Sequence, residues 1–333
     1  MASAPESPAS EQRGRATTSA PSEDALESSP YSAEPLSPRS AGTLTHRIGG
    51  YLRTVRPHQW VKNVFVLAPL VFARELVNPA FAPRGFAAFA VFCVLSSSVY
   101  VLNDLVDVEA DREHPKKKHR PIASGKLSIE AARTAFVVLL SIAIGGGALL
   151  GHEFLFSAMA YLILNLAYSF ALKKVAYLDV VALAGCYELR VLAGAFAADV
   201  PASVYLLVET FLLSSFLGLG KRAHELAHVS AGGTRAALRS YSPVVLKGLL
   251  AITGLASVVT YTVYTMDPHT ISMFGTPYLV YTSVFMLVGV GRFVQLVQSA
   301  DAESPTEAML RDKLFVVTGV LGAIAVVVLI YAT

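Results

Sequence analysis

Four oxygen-bearing side chains recur at helical spacing between residues 103 and 111. Asn103, Asp107 and Asp111 follow one another at intervals of four residues, and Asp104 precedes Asp107 by three. If this stretch is helical, all four project from one face. Three carboxylates with nothing to neutralise them repel one another, and a bound divalent cation relieves that repulsion. Oxygen ligands alone favour Mg²⁺ or Mn²⁺ over zinc. We call these four residues the acidic motif.

A basic run follows the acidic motif. Mg²⁺ bound by few carboxylates fills its remaining positions with water and substrate phosphates, so the acidic motif implies a phosphate or diphosphate ligand. The run contains Lys117, Lys118 and Arg120, with a proline directly after the arginine. Cations beside a metal site suit phosphate groups. The lysines also fit a topology signal or a contact with anionic lipids, and both interpretations stay open.

Two charges lie inside an apolar stretch farther along the chain. Glu188 and Arg190 are two residues apart, so they do not face each other on a helix and each needs another partner. Charged groups at that depth face the interior of a helix bundle or a wet cavity. The pattern therefore predicts a cavity that opens to one side, with a structural polar network between helices as the alternative.

Nine apolar stretches position these residues. They cover residues 60–81, 85–103, 131–150, 153–172, 177–198, 203–220, 243–264, 276–297 and 313–332. Each is close to the roughly 20 residues that cross a hydrocarbon core as a helix. The pattern predicts an all-α, polytopic membrane protein of about nine helices, with eight or ten as alternative counts. A large soluble core is the alternative, but it would need a polar face on each helix.

The composition supports the membrane class. Of 333 residues, 54% are hydrophobic and 15% are charged, against about 25% charged residues in soluble domains. The net charge of +3 excludes nucleic-acid binding through bulk charge, and two cysteines exclude a disulfide scaffold. Residues 1–47 contain ten Ser and six Pro, which predicts a disordered cytoplasmic tail before a transmembrane catalytic domain at 48–333.

The Lys and Arg residues indicate the orientation. They concentrate before the first stretch and in the connections from even-numbered to odd-numbered stretches, whereas the opposite connections hold only Arg74 and Arg84. The positive-inside rule then places the N-terminus and the acidic motif in the cytoplasm and the C-terminus outside. The longest and most charged connections share the cytoplasmic face, which favours chemistry on a cytosolic substrate.

The acidic motif after the second of nine spans, followed by Arg120-Pro121, resembles the UbiA-type superfamily of intramembrane prenyltransferases. The resemblance covers residues 48–333 and implies a helical bundle with a cytoplasm-facing cavity. Most of that superfamily carries a second Asp-rich motif between spans six and seven. Here that place holds Lys221-Arg222-Ala223-His224-Glu225, with a single acid.

The opening from Arg56 to Asn63, the turn from Tyr168 to Lys173 and the loop from Lys221 to Glu225 resemble a phosphoribosyltransferase branch of the superfamily. The resemblance implies phosphoribosyl diphosphate (PRPP) as donor and a polyprenyl phosphate, such as decaprenyl phosphate, as acceptor. It also implies a plasma-membrane enzyme of cell-wall arabinan synthesis that depends on Mg²⁺.

The resemblance assigns roles to residues. Asp104, Asp107 and Asp111 would be catalytic, and together with Asn103 they would hold the metal. A larger group would bind the donor and its phosphates: Lys117, Lys118, Arg120, Tyr168, Lys173, Lys174, Asp179, Glu188, Arg190, Lys221, Arg222 and Glu225. Gln59, Lys62 and Asn63 would bind the lipid phosphate.

Several alternatives stay open. A prenyltransferase that uses a prenyl diphosphate and an aromatic acceptor would share the acidic motif. A transporter for an anionic metabolite would also place charges within the membrane. Lys62 beside Trp60 fits a simple interfacial anchor, and Lys221 with Glu225 fits a helix-surface ion pair. Small-residue faces on several spans are compatible with a homo-oligomer, such as a trimer, among membrane lipids.

Overall fold

The computed structural model describes residues 44–227, 238, 240–299, 308–309 and 311–332, with side chains from residue 49 onward. The predicted disordered tail lies outside these residues up to residue 43. Within the described ranges the secondary structure is helical, without strands. The helices are α1 (Leu44–Val55), α2 (Ala68–Phe72), α3 (Ala82–Val106), α4 (Val108–Glu113), α5 (Ile129–Leu150), α6 (His152–Phe170), α7 (Leu178–Ala198), α8 (Val204–Ala227), α9 (Pro243–Met266), α10 (Pro268–Phe274), α11 (Ser283–Gln298) and α12 (Lys313–Tyr331).

Helix α1 begins at Leu44, so the last four residues of the segment predicted to be disordered are helical. Leu44, Ile48, Leu52 and Val55 recur at helical intervals in the sequence, which agrees with a helix here. Helix α1 packs against α3, and its buried residues are Gly50 and Thr54, whereas Leu52 is 56% exposed.

Eight helices in the described ranges are long and apolar enough to cross a membrane. Seven of them are α3, α5, α6, α7, α8, α9 and α12. The eighth is α11 extended at its start by the 3₁₀ turn Tyr278–Thr282. Each lies on one of the predicted apolar stretches. Side-chain caps mark where two of them begin, since Ser128 accepts a hydrogen bond from the Ala131 amide at 3.2 Å and Asp312 accepts one from the Phe315 amide at 2.8 Å.

The first predicted stretch, residues 60–81, is not a continuous helix. A 3₁₀ helix covers Pro57–Leu67, the short α2 follows, and turns lead to α3. Prolines at 69 and 79 remove backbone donors, and Arg74 has a positive φ of 62°. These features prevent a long α-helix.

The 3₁₀ helix nevertheless runs along α3 in the opposite direction. Trp60 donates to Ser97 at 3.0 Å, Asn63 donates to Ser96 at 3.1 Å, and Leu70 packs against Gly85. A 3₁₀ helix rises about 2.0 Å per residue, so this segment with α2 covers about 30 Å, the thickness of a hydrocarbon core. The course suits an irregular ninth crossing, and the count of nine stays a prediction.

Helices α3 and α7 form the centre of the bundle. In each, 56% of the membrane-length window is buried, against 11% in α5. Helix α7 packs against α3, α6, α8 and the 3₁₀ helix. Aromatic contacts fill the core on both sides: Phe92 meets Phe154 with ring centroids 5.7 Å apart, and Phe216 meets Phe293 at 5.0 Å. Polar residues on α7 therefore lie where several elements can reach them.

A close backbone approach joins α7 to the 3₁₀ helix. A β-carbon at Gly194 would overlap the backbone carbonyl of Val66, which cannot move unless the whole segment shifts. This contact holds the segment that contains Lys62 and Asn63 against α7.

We expect Gly194→Ala to lower the free energy of unfolding by about 1–3 kcal/mol, the usual cost of overpacking. The measurement is thermal unfolding of the purified protein in detergent. Gly145→Ala, in α5 with no heavy atom near the added carbon, is the control, and it should be neutral or slightly stabilising. Equal melting temperatures for the two variants would contradict the role of Gly194.

Candidate active site

The acidic motif lies across the junction of α3 and α4. The predicted continuous helix is interrupted at Asp107, whose backbone has φ −89° and ψ 8°. Helical hydrogen bonds nevertheless continue on both sides, from the Asp107 amide to the Asn103 carbonyl at 3.0 Å and from the Asp111 amide to the Asp107 carbonyl at 2.8 Å. The four-residue spacing of Asn103, Asp107 and Asp111 therefore continues through the break.

Arginines neutralise two of the three carboxylates. Asp104 pairs with Arg56 at 2.6 Å and with Arg120 at 3.0 Å, and Asp111 pairs with Arg120 at 2.7 Å. Both carboxylates are buried, with 2% of each side chain exposed. Lys117 lies 4.0 Å from Asp111. This corrects the expectation that nothing balances these acids, because the packing of α1 and the basic run against α3 supplies the cations.

The donor set around Asp107 still suits a hard divalent cation. In the described part of the chain, no three acidic, histidine or cysteine side chains converge as a preformed metal cage. Asp107 is partly buried and forms no ion pair among these residues, and Asn103 is oriented by a 2.9 Å hydrogen bond from Ser169. Mg²⁺ is usually held by one or two carboxylates together with substrate phosphates, which this oxygen-only set can provide.

A second cluster surrounds Arg222 on α8. Its guanidinium pairs with Asp179 at 2.6 Å and Glu225 at 2.5 Å, and it donates to Tyr168 at 3.3 Å. Tyr241 donates to the other oxygen of Asp179. Burial and this hydrogen bond raise the pKa of Tyr241 above its ordinary value, so the phenol stays protonated. We call Tyr168, Asp179, Arg222, Glu225 and Tyr241 the Arg222 cluster.

The Arg222 cluster changes the interpretation of three predicted donor ligands. Asp179, Arg222 and Glu225 are directed at one another, and Arg222 has protein partners on all three of its nitrogens. Glu225 pairs with Arg222, whereas the sequence pattern had offered Lys221 as its partner. This arrangement suits residues that hold α7 and α8 together beside the site.

Arg190 lies deeper in the bundle, 11 residues or about 16 Å along α7 from Asp179. Its guanidinium donates to Asn63 at 3.0 Å, to the Cys186 carbonyl at 2.9 Å and to the Tyr161 hydroxyl at 2.9 Å. Only 4% of Arg190 is exposed, and no carboxylate pairs with it in the described part. The charge is buried among neutral partners.

Further cations lie near Lys62, on the 3₁₀ helix. The ammonium group of Lys62 lies within Coulombic range of Arg190, Arg56 and Lys221. Tyr187 places its ring 5.2 Å from the Arg190 guanidinium. We call Arg56, Lys62, Arg190 and Lys221 the cationic group. Like charges gathered in a bundle of low polarity favour the binding of an anion.

Two adjoining apolar cavities, of about 220 Å³ and about 560 Å³, lie on the other side of the 3₁₀ helix, towards α8, α9, α11 and α12. Phe65 lines the smaller one and packs edge-on against Tyr187, with ring centroids 5.0 Å apart, so two rings separate this cavity from Arg190. Its wall also carries Glu209, which accepts a 2.5 Å hydrogen bond from Ser257.

The remaining predicted site residues are more dispersed. Asn63 is fully buried and accepts a hydrogen bond from Arg190, and its predicted contact with the lipid phosphate stays a prediction. Gln59 is partly exposed near the start of the 3₁₀ helix. Glu188 has one buried oxygen without a hydrogen-bond partner in the described part, and it does not pair with Arg190, as predicted. Three lysines without ion pairs in that part lie near the site, two of them exposed: Lys118, Lys173 and Lys174.

Four contributing residues were missed in the sequence: Arg56, Tyr161, Ser169 and Tyr241. Tyr161 carried a usable signal, because it lies seven residues, two helical turns, before Tyr168 on the same face of α6. The other three reach the site through tertiary contacts, which the spacing of residues does not show.

Comparison with known proteins shows which family this chain is similar to. The UbiA prenyltransferase family matches residues 64–319. The chain is 33% identical over 288 residues to the decaprenyl-phosphate phosphoribosyltransferase of Corynebacterium glutamicum, covering 85% of this chain and 87% of the relative. It is 33% identical over 274 residues to the enzyme of that name from Mycobacterium tuberculosis, covering 80% and 89%.

The fold resembles that of a UbiA homolog from Archaeoglobus fulgidus solved with GPP and Mg²⁺, with a TM-score of 0.63 at 16% identity, over 85% of this chain and 98% of the other. The family match spans most of the chain, and the apolar helices agree with an integral membrane protein. The chain therefore belongs to the UbiA prenyltransferase family.

Proposed function

We propose that the protein transfers the 5-phosphoribosyl group from PRPP to a polyprenyl phosphate, such as decaprenyl phosphate, and releases diphosphate. The observation that carries the proposal is the buried, carboxylate-free Arg190 within the cationic group. The relatives from Corynebacterium glutamicum and Mycobacterium tuberculosis, similar over most of their length, support this choice of substrates.

The charges fit two anionic substrates. PRPP carries a diphosphate and a 5-phosphate, and the acceptor carries a third phosphate. An isolated buried cation is costly, and an anion brought beside it recovers part of that cost. Arg190 has no acidic partner in the described part of the chain, so it is suited to bind an anion. Arg222, in contrast, is already paired with Asp179 and Glu225.

Mg²⁺ would be held by Asp107 and Asn103, with Asp104 and Asp111 beside them, and it would neutralise the diphosphate leaving group. Asn103 is held for this by Ser169. Arg120 spans Asp104 and Asp111, so it lies where a diphosphate would also meet a guanidinium. Mn²⁺ suits the same oxygen ligands.

The lysines near the site would bind the phosphates that the metal does not reach. Lys173, Lys174 and Lys221 would hold the 5-phosphate, with Lys117 and Lys118 near the diphosphate. Lys62 lies on the 3₁₀ helix beside the apolar cavities, since Val64 lines the larger one. It would hold the acceptor phosphate while the first isoprene units lie in that cavity.

The transfer breaks the bond between the anomeric carbon and the diphosphate oxygen and forms a bond from that carbon to an oxygen of the acceptor phosphate. The acceptor is already anionic at neutral pH, so no strong general base is needed. Positive charge develops on the ribosyl carbon as diphosphate departs. The carboxylates of the acidic motif would stabilise that charge electrostatically.

The product would be decaprenylphosphoryl-5-phosphoribose, a donor for cell-wall arabinan synthesis. The protein would be a multi-pass protein of the plasma membrane, and the lysine and arginine pattern supports its orientation there. The N-terminus and the active site would face the cytoplasm and the C-terminus the outside. A homo-oligomer stays a prediction.

The decisive experiment incubates purified protein with Mg²⁺, labelled PRPP and a polyprenyl phosphate. Label should enter the lipid fraction, and chelation of the metal should stop its entry. A parallel reaction supplies a prenyl diphosphate and an aromatic acceptor. Turnover in the second reaction alone would replace our proposal with ordinary prenyl transfer.

We expect Arg190→Met to lower turnover by about 100-fold or more, the loss of roughly 3 kcal/mol of phosphate binding. The melting temperature should fall only modestly, because Asn63 and Tyr161 each lose a buried donor but no buried carboxylate is left unpaired, so the protein should stay folded at the assay temperature. Turnover and thermal unfolding are measured on the same preparation. Full activity, or a loss of activity that simply follows unfolding, would contradict the assignment.

We expect Asp107→Ala to reduce turnover by at least about 100-fold, since a metal ion contributes several kcal/mol to such reactions. Glu109→Ala is the matched control, because Glu109 is a neighbouring acid whose side chain is 77% exposed and pairs with Arg112. It should keep near wild-type turnover. If the two variants behave alike in the lipid-labelling assay, Asp107 does not hold the metal.

A further inference from the structure

We propose that Tyr241 is a positioning residue for the donor substrate, acting through Asp179 and Arg222. The inference rests on the proposed function, because it concerns the binding of PRPP. Tyr241 lies outside the membrane-length helices, just before α9, and its sequence context carries no phosphate-binding motif. Its importance follows from the contacts of one hydroxyl group.

That hydroxyl joins two elements. It donates to Asp179 on α7 and accepts a 2.9 Å hydrogen bond from the backbone amide of Tyr177. The Tyr177 hydroxyl in turn accepts from the Ser242 amide at 3.3 Å, and the two tyrosine rings lie 4.6 Å apart. The start of α7 and the entry to α9 are therefore tied together by reciprocal contacts.

The backbone at this junction is strained. Tyr177 has φ 64° and ψ −39°, a conformation that costs energy for a bulky side chain and persists only where surrounding contacts hold it. The hydrogen bond from the Tyr177 amide to Tyr241 is one such contact. Tyr177 directly precedes α7, so this contact also fixes where α7 begins and where Asp179 lies.

Asp179 transmits this position to the site. Its side chain is 1% exposed, and its second oxygen binds Arg222 at 2.6 Å. Arg222 reaches Tyr168, and the adjacent Ser169 orients Asn103 of the acidic motif. Lys221, a member of the cationic group, directly precedes Arg222 in α8. A shift of Arg222 therefore moves groups proposed to bind both ends of PRPP.

Without the Tyr241 hydroxyl, Asp179 would lose a partner that only a nearby donor can replace. Arg222 is the nearest such donor, and turning it towards Asp179 draws it from Glu225 and Tyr168. The ring of Tyr241 belongs to an apolar core with Val180 and Leu246, so its packing survives loss of the oxygen. Tyr241→Phe thus separates positioning from overall stability.

The test compares Tyr241→Phe with Tyr281→Phe in the full-length protein, in detergent or nanodiscs. Tyr281 is 67% exposed, and its hydroxyl makes no hydrogen bond in the described part of the chain. We expect the KM for PRPP to rise about tenfold in Tyr241→Phe, consistent with one lost hydrogen bond to a charged group. The KM for polyprenyl phosphate should stay near wild type, and Tyr281→Phe should match wild type throughout. The melting temperature of Tyr241→Phe should fall only slightly, because two hydrogen bonds are lost while the ring stays packed.

An unchanged KM for PRPP would overturn the inference. A rise in both KM values together with a markedly lower melting temperature would overturn it as well, because that pattern is a general loss of structure. Failure of the wild-type protein to use PRPP would instead overturn the proposed function, and this inference with it.

A double-mutant cycle with Asp179→Asn tests the route of action. If Tyr241 acts through Asp179, the double variant should have the KM for PRPP of Asp179→Asn alone. Independent, multiplying effects would overturn the route through Asp179.

Discussion

The architecture of this protein depends on one buried guanidinium group. Arg190 lies inside a bundle of apolar helices, where an unpaired charge is expensive, and its direct partners are neutral: an amide, a phenol and a backbone carbonyl. Asn63 is among these partners only because the chain before α3 forms a 3₁₀ helix pressed against α7. Gly194 allows this irregular segment to approach α7 closely, and the aromatic residues around Arg190 complete the same arrangement.

The two clusters at the ends of α3 and α8 contrast with Arg190. There each buried carboxylate has a basic partner: Asp104 and Asp111 share Arg120, and Asp179 binds Arg222. The ion pairs hold the side chains at these ends in place, whereas the Arg190 charge deeper in the bundle has no carboxylate partner in the described part of the chain. The protein thus combines paired charges at these ends with a buried cation that, under the proposed function, would be neutralised by an anionic substrate.

Sequence reasoning predicted the parts of this arrangement that repeat along the chain. Eight of the nine apolar stretches correspond to helices because hydrophobic length alone determines them. The acidic motif was recognisable because its residues recur at helical intervals. Its pairing with Arg56, 48 residues before Asp104, was not, since that contact depends on how α1 packs. The prolines at 57, 69 and 79 were signals for the broken first stretch, but the direction of Arg222 towards Asp179 required the neighbouring helix in place.

The Arg222 cluster also limits how sequences of this kind can diverge. Asp179, Arg222 and Tyr241 come from three separate stretches of the chain, and replacing one alone leaves a buried charge or hydroxyl without its partner. Single substitutions are therefore disfavoured at each position, while coordinated ones restore the balance. Among related chains, these three positions should change together, and they should record a shared history more faithfully than the exposed lysines nearby.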